Sequence, residues 1–142
     1  MSTRHPETTP PSPGLPPVAR RRFAGTRDQV AAARGFVVAL LGSGSDLEET
    51  ARLLVSEAAT NALLHSASGE DGGSFEVRCR IARERLRVEV HDGGAPQSPR
   101  RPVHQLDALT GRGLELVDAL SARWGWSGGT SGRVLWFELE LA

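Results

Sequence analysis

The chain reads as an α+β domain: a two-layer α/β sandwich with helices on one face of a mixed, mostly antiparallel sheet. Three observations predict it. Two capping-box patterns, Thr26-x-x-Gln29 and Ser45-x-x-Glu48, each precede a helical apolar pattern. Apolar and polar residues alternate strictly through residues 75–81 and again through 86–90. A third helical stretch, residues 114–120, then separates those strands from two more. The resulting order is α, α, β, β, loop, α, β, β.

Each element has a local reason. Residues 1–19 hold six of the nine prolines with Ser, Thr and Gly, too little apolar surface to offset the entropy of ordering, so a disordered tail is expected there and a domain over 20–142. Arg22-Phe23-Ala24 suits a short edge strand. The first helix carries Val30, Val37, Leu40 and Leu41 and stops at Gly42 and Gly44. The second starts from Ser45 and runs to about His65. Phe75, Val77, Cys79 and Ile81 form one strand of a hairpin and Leu86, Val88 and Val90 the other; the intervening Arg78, Arg80 and Arg87 are expected to coat its solvent face. Residues 93–110 lose all periodicity and contain Pro96, Pro99 and Pro102, and a loop of that length in a compact domain is commonly functional. Gly111-Arg112-Gly113 leads into the third helix. Strands near 123–127 and 134–141 close the chain.

Composition narrows function. With 142 residues the chain makes one domain large enough to bury a core unaided. Seventeen basic residues balance seventeen acidic ones, so no bulk field draws in nucleic acid or an anionic membrane. Every basic residue is arginine, which excludes a P-loop lysine, a Schiff-base lysine and a lysine general base. Cys79 stands alone, so neither an internal disulfide nor a thiolate zinc cage is available. No apolar run approaches the roughly 20 residues of a membrane span and no signal peptide is evident, so a cytoplasmic protein is expected.

Glu57 and Asn61 are the chemically informative pair. At 100° per residue Leu53, Leu54 and Leu64 fall within about 60° of Glu57, with Asn61 between them, so both polar side chains sit in the expected apolar stripe. Burying either without a partner costs on the order of 1–3 kcal/mol or more. They therefore bind something: a ligand, a buried loop end or a core arginine. Asp92 and Gly94, just after a strand, and Gly111 and Gly113, ahead of a helix, converge on the same cleft. Asp92 alone is equally a turn residue. Together they form a sufficient nucleotide set: an aspartate for an adenine amino group, a glycine for close approach to the base, an asparagine oxygen for Mg²⁺ and helix-terminal amides for phosphate. Glu57, one turn from Asn61, can orient or deprotonate a nucleophile.

Glu57-x-x-x-Asn61, Asp92-x-Gly94 and Gly111-x-Gly113, in this order over residues 20–142, resemble the N, G1 and G2 boxes of the GHKL, or histidine-kinase-like, ATPase superfamily. Within it, the segments 55–62 with His65, and Gly111-Arg112-Gly113-Leu114-x-Leu116-Val117, look like the small anti-sigma-factor serine/threonine protein kinases. The resemblance implies the histidine-kinase-like ATPase fold. It implies an ATP- and Mg²⁺-binding switch that sequesters a sigma factor, phosphorylates an anti-anti-sigma partner, and in small members often pairs as a homodimer. By position, Glu57 is the base, Asn61 the Mg²⁺ ligand and Asp92 the adenine reader. Gly94, Gly111, Arg112, Gly113 and Leu114 then line the nucleotide, with 93–110 as its lid.

Two departures stand out. Relatives often enter the last strand with Gly-x-Thr, whereas Gly132-Arg133-Val134 sets Val134 at that hydroxyl's position, so a polar tie to the adenine site is expected to be missing. The G2 region has only Gly111 and Gly113. These favour an alternative, a nucleotide-binding module of the same fold acting only by sequestration, while Glu57 and Asn61 favour the kinase. A histidine-kinase fragment lacks a helix carrying a phospho-accepting His ahead of the domain, since His5 lies in the tail. Topoisomerase and chaperone relatives need further domains.

Overall fold

The computed structural model describes residues 19–42, 44–65, 73–82, 84–93, 108–128 and 132–141, with only the backbone at 65 and 108–113. Of the tail expected over 1–19, residues 1–18 lie outside the described residues, as do most of the lid, Gly94 and the side chains of His65 and Arg112, while Ala19 belongs to the first strand. The order is β1 (Ala19–Ala24), α1 (Asp28–Leu41), α2 (Glu48–His65), β2 (Ser74–Ala82), β3 (Arg85–Asp92), α3 (Ala108–Leu120), β4 (Arg123–Gly128) and β5 (Arg133–Glu140). The strands form one sheet in the order β1-β2-β3-β5-β4, and every neighbouring pair is antiparallel. The expected α+β sandwich is present.

Register decides what each face carries. Val77, Val90 and Leu135 lie side by side across β2, β3 and β5, and so do Cys79, Val88, Phe137 and Trp124 across β2, β3, β5 and β4. These rows are buried with Val30, Ala33 and Val37 of α1, with Ala51, Leu54, Val55, Ala58, Ala59 and Ala62 of α2, and with Val117 of α3 in one core. At the β1 edge Phe23 stacks on its cross-strand partner Phe75, with ring centroids 5.5 Å apart, and meets Phe36 of α1 edge-on at 6.0 Å.

The capping boxes form only in part. Ser45 Oγ accepts the Leu47 N–H at 3.1 Å, which starts α2, but Glu48 turns outward to Arg52 at 2.9 Å. Thr26 donates to the Asp28 carboxylate instead of capping α1, and Arg27 at the cap position supplies no side-chain bond. Gly42 ends α1 as expected: with φ at +88°, its N–H reaches Val38 O at 3.2 Å.

The opposite face of the sheet corrects one expectation. Arg87 is buried, not solvent-facing. Its guanidinium lies 4.0 Å from the Trp136 ring centroid and pairs with Glu89 and Glu138, each at 2.9 Å. Glu89 also meets His91 Nε2 at 2.9 Å. The alternation correctly separated the faces, yet the polar residues of this face bury one another in an ion-pair network around an aromatic ring.

Candidate functional site

Helix α2 presents Glu57 and Asn61 one turn apart. Its buried stripe is not the leucine stripe the sequence suggested: Leu53 and Leu64 are exposed, and Ala51, Leu54, Val55, Ala58, Ala59 and Ala62 face the core. Alanines let α2 pack close to the sheet and to α1, and their small side chains give them little weight in a pattern read from leucines. Glu57 is therefore half-buried at the margin of the stripe and Asn61, 4% exposed, is at its edge.

Asn61 has found its partner within the protein. Its Oδ1 accepts a hydrogen bond from Arg133 Nη2 at 3.1 Å. Arg133 opens β5 directly opposite Asp92, the last residue of β3, and its Nε donates to Asp92 Oδ2 at 3.1 Å. The Arg133 and Asp92 side chains are 1% and 3% exposed. One buried guanidinium thus joins Asn61 of α2 to Asp92 of β3. Removing such charges from water is costly unless each is paired, and here carboxylate, guanidinium and amide are.

Sequence reasoning missed Arg133. It set Val134 at a vanished hydroxyl and expected the polar tie to be lost; Val134 instead lies half-buried opposite His91, and the tie to Asp92 comes from the residue before it. The available signal was a charge opening the otherwise apolar run 134–137; that it faces Asp92 follows only from the β3–β5 register.

The glycines of the expected phosphate loop are also displaced. Helix α3 starts at Ala108, so Gly111, Arg112 and Gly113 lie within it rather than before it. Ala108, Leu109 and Thr110 contain no helix breaker, and the packing of Leu114 and Val117 on the core outweighs the roughly 1 kcal/mol that a helical glycine costs. The amides that a helix leaves without internal partners then belong to the turn at 108–110, upstream of both glycines. Leu114 packs against the core, half-buried.

A carboxylate accepts up to about four hydrogen bonds, so Asp92 can serve both Arg133 and an adenine amino group. Mg²⁺ on Asn61 does not fit in the same way. The amide oxygen already receives a guanidinium N–H, and a second cation on that oxygen would be repelled by the first. Among the described residues no group of three or more His, Cys, Asp or Glu is placed to hold a metal ion. The Cys79 thiol is not a nucleophile: burial, then the nearby Glu89 charge, push its pKa up to about 12. No helix among the described residues is long and apolar enough to cross a membrane.

Comparison with known proteins gives the family and two relatives. The chain is 34% identical over 95 residues to the serine-protein kinase RsbW of Bacillus velezensis, and 30% identical over 95 residues to the serine-protein kinase RsbW of Bacillus licheniformis. Each alignment covers 59% of this chain and 59% of the relative, less than two thirds of either. Residues 23–139, which hold all eight elements except the first four residues of β1 and the last residue of β5, match the histidine kinase-like ATPase domain. The chain belongs to the histidine kinase-like ATPase domain family.

Proposed function

We propose that this chain is an ATP-binding cytoplasmic switch that phosphorylates a serine or threonine of an anti-anti-sigma partner and sequesters a sigma factor. The observation that carries the reading is the junction of Asn61 with Asp92 through Arg133, one helical turn from Glu57, which assembles two of the three boxes in one buried cluster. Family membership supports ATP as the nucleotide, and the serine-protein kinases among the relatives support the hydroxyl acceptor.

In this reading Asp92 takes the adenine amino group and Gly94 allows the base to approach. The start of α3, with Gly111, Arg112, Gly113 and Leu114, faces the phosphates, and Mg²⁺ comes with the phosphates of ATP. Glu57 removes the proton as the partner hydroxyl attacks the γ-phosphorus, and ADP leaves with the electrons of the broken P–O bond.

The test is transfer of label from γ-³²P ATP to purified anti-anti-sigma proteins from the source cell. Labelled phosphoserine or phosphothreonine with the wild-type chain, absent with Glu57→Gln, is the expected result. ATP binding without transfer to any of them would leave sequestration as the whole function. Absence of ATP binding at millimolar concentration would remove the nucleotide reading itself.

A further inference from the structure

We infer that Arg133 is the resident cation of the nucleotide site: it fixes Asn61 and Asp92 in place and stands where a metal ion on Asn61 would lie, so nucleotide binding does not use Asn61 as a metal ligand. This rests on the ATP-binding reading and deepens it.

The position of Arg133 is set by the sheet rather than by any ligand. Its backbone is paired on both sides, with Asp92 of β3 and Gly128 of β4. Opposite residues of an antiparallel pair project their side chains on the same face, so the guanidinium leaves the sheet beside the Asp92 carboxylate. The β4–β5 junction beneath it is closely packed, since a Cβ on Gly128 would press on Gly132 O and lie 2.7 Å from Arg133 Cα. Neither strand can slide to carry the side chain away without breaking this register.

The electrostatics point the same way. A guanidinium is a planar fork that can serve two acceptors at once. Here Nε serves Asp92 and Nη2 serves Asn61. Withdrawing it would break a buried ion pair from one side, a strongly unfavourable change. Staying in place, it occupies the Asn61 oxygen with positive charge, which is the role assigned to a divalent ion by the N-box pattern. The local charge requirement of the pocket is met by protein.

The experiment is a cycle between the metal and the residue. Calorimetry on the full chain measures affinity for ADP and for a non-hydrolysable ATP analogue, with Mg²⁺ and with EDTA, for wild type and Asn61→Ala. If Asn61 is not a ligand, the Mg²⁺ effect on affinity is the same in both proteins within about threefold. A Mg²⁺ effect that falls by more than this in Asn61→Ala overturns the inference while leaving ATP binding standing. No wild-type binding in either medium overturns the ATP reading and this inference with it. Should Asn61→Ala fail to fold, the wild-type protein decides: the Arg133 Nε–H resonance, in ¹⁵N-arginine protein, is expected to stay slow to exchange when Mg²⁺ and the analogue are added. Its loss of protection would show that the guanidinium is displaced, and would overturn the inference.

Discussion

Arg133 stands directly across the β3–β5 ladder from Asp92 and binds its carboxylate with both side chains almost wholly buried. The residue that the family pattern assigns to adenine is therefore also a structural anion. Asp92→Asn keeps the shape but removes the carboxylate charge that Arg133 Nε binds, and breaking a buried pair from one side typically costs about 3–5 kcal/mol. Urea denaturation should show a loss of that order, and a change below about 1 kcal/mol would mean the pair contributes little. Nucleotide affinity of this variant is informative only under conditions where it is folded.

Glu57→Gln separates chemistry from architecture. Glu57 is half-buried at the margin of the α2 stripe, so exchanging a carboxylate for an amide of the same shape should leave the denaturation midpoint and ATP affinity close to wild type. Phosphotransfer should fall about 10²–10⁴-fold, the usual contribution of a general base. Unfolding of the variant would identify Glu57 as a core partner instead.

The fold was legible because its signals are local. Two-residue alternation at Phe75, Val77 and Cys79, and at Leu86, Val88 and Val90, marks a half-buried antiparallel pair wherever the strands meet. What escaped depends on register. Nothing local to residue 133 says that it will face Asp92, and nothing local to Arg87 says that Trp136 and Glu138 will bury it; both follow only once β5 lies beside β3. The α2 stripe was misjudged for another reason. Alanine contributes little to an apolar pattern but packs well against a sheet, so Leu53 and Leu64 drew the stripe to the wrong side. At Gly111 the error was one of boundaries, since a glycine read as a loop signal is tolerated inside a packed helix.

The ion-pair network on the face opposite the helices should make the protein acid-sensitive. Burial raises the Glu89 pKa, but hydrogen bonds from His91 and Arg87, with their charges, outweigh it and hold the carboxyl below its ordinary value of 4.5. Glu76 is likewise lowered from 4.5, its partial burial outweighed by Arg78, Arg20 and Arg22. A carboxyl with a lower pKa folded than unfolded adds stability above its unfolded value, and that stability is lost as pH falls through the folded value. Stability should thus be level from neutrality down to about pH 5 and drop below about pH 4.5. Glu89→Gln should flatten that acid limb while lowering the plateau, because Arg87 loses a buried partner. An acid limb identical to wild type would place the acid sensitivity elsewhere.

Cys79 offers a clean report of global opening. It is buried in the core, flanked across the sheet by Ala19 and Val88, with its pKa pushed up to about 12 by burial and then by Glu89. Only the thiolate reacts appreciably, so at pH 8 an aromatic disulfide reagent should leave the folded chain untouched and modify it at a rate that follows unfolding in urea. Rapid labelling without denaturant would contradict the packing of this strand.

Two glycines with positive φ should respond differently to alanine. Gly42 has φ +88° at the end of α1, and nothing lies within 4 Å of a Cβ built there. Gly42→Ala then meets only the backbone strain of that region, about 1–3 kcal/mol. Gly128 has φ +103°, and its Cβ would press on Gly132 O and Arg133 Cα. Neither atom is the tip of a flexible side chain, so the β4–β5 pairing must yield, and Arg133 moves with it. Gly128→Ala should therefore lose more stability than Gly42→Ala. It should also weaken ADP binding in proportion to the disturbance of the Arg133 bonds to Asp92 and Asn61, whereas Gly42→Ala leaves ADP affinity unchanged. Equal losses in both variants, with ADP affinity intact, would mean that the start of β5 tolerates displacement and that Arg133 is not held by the sheet.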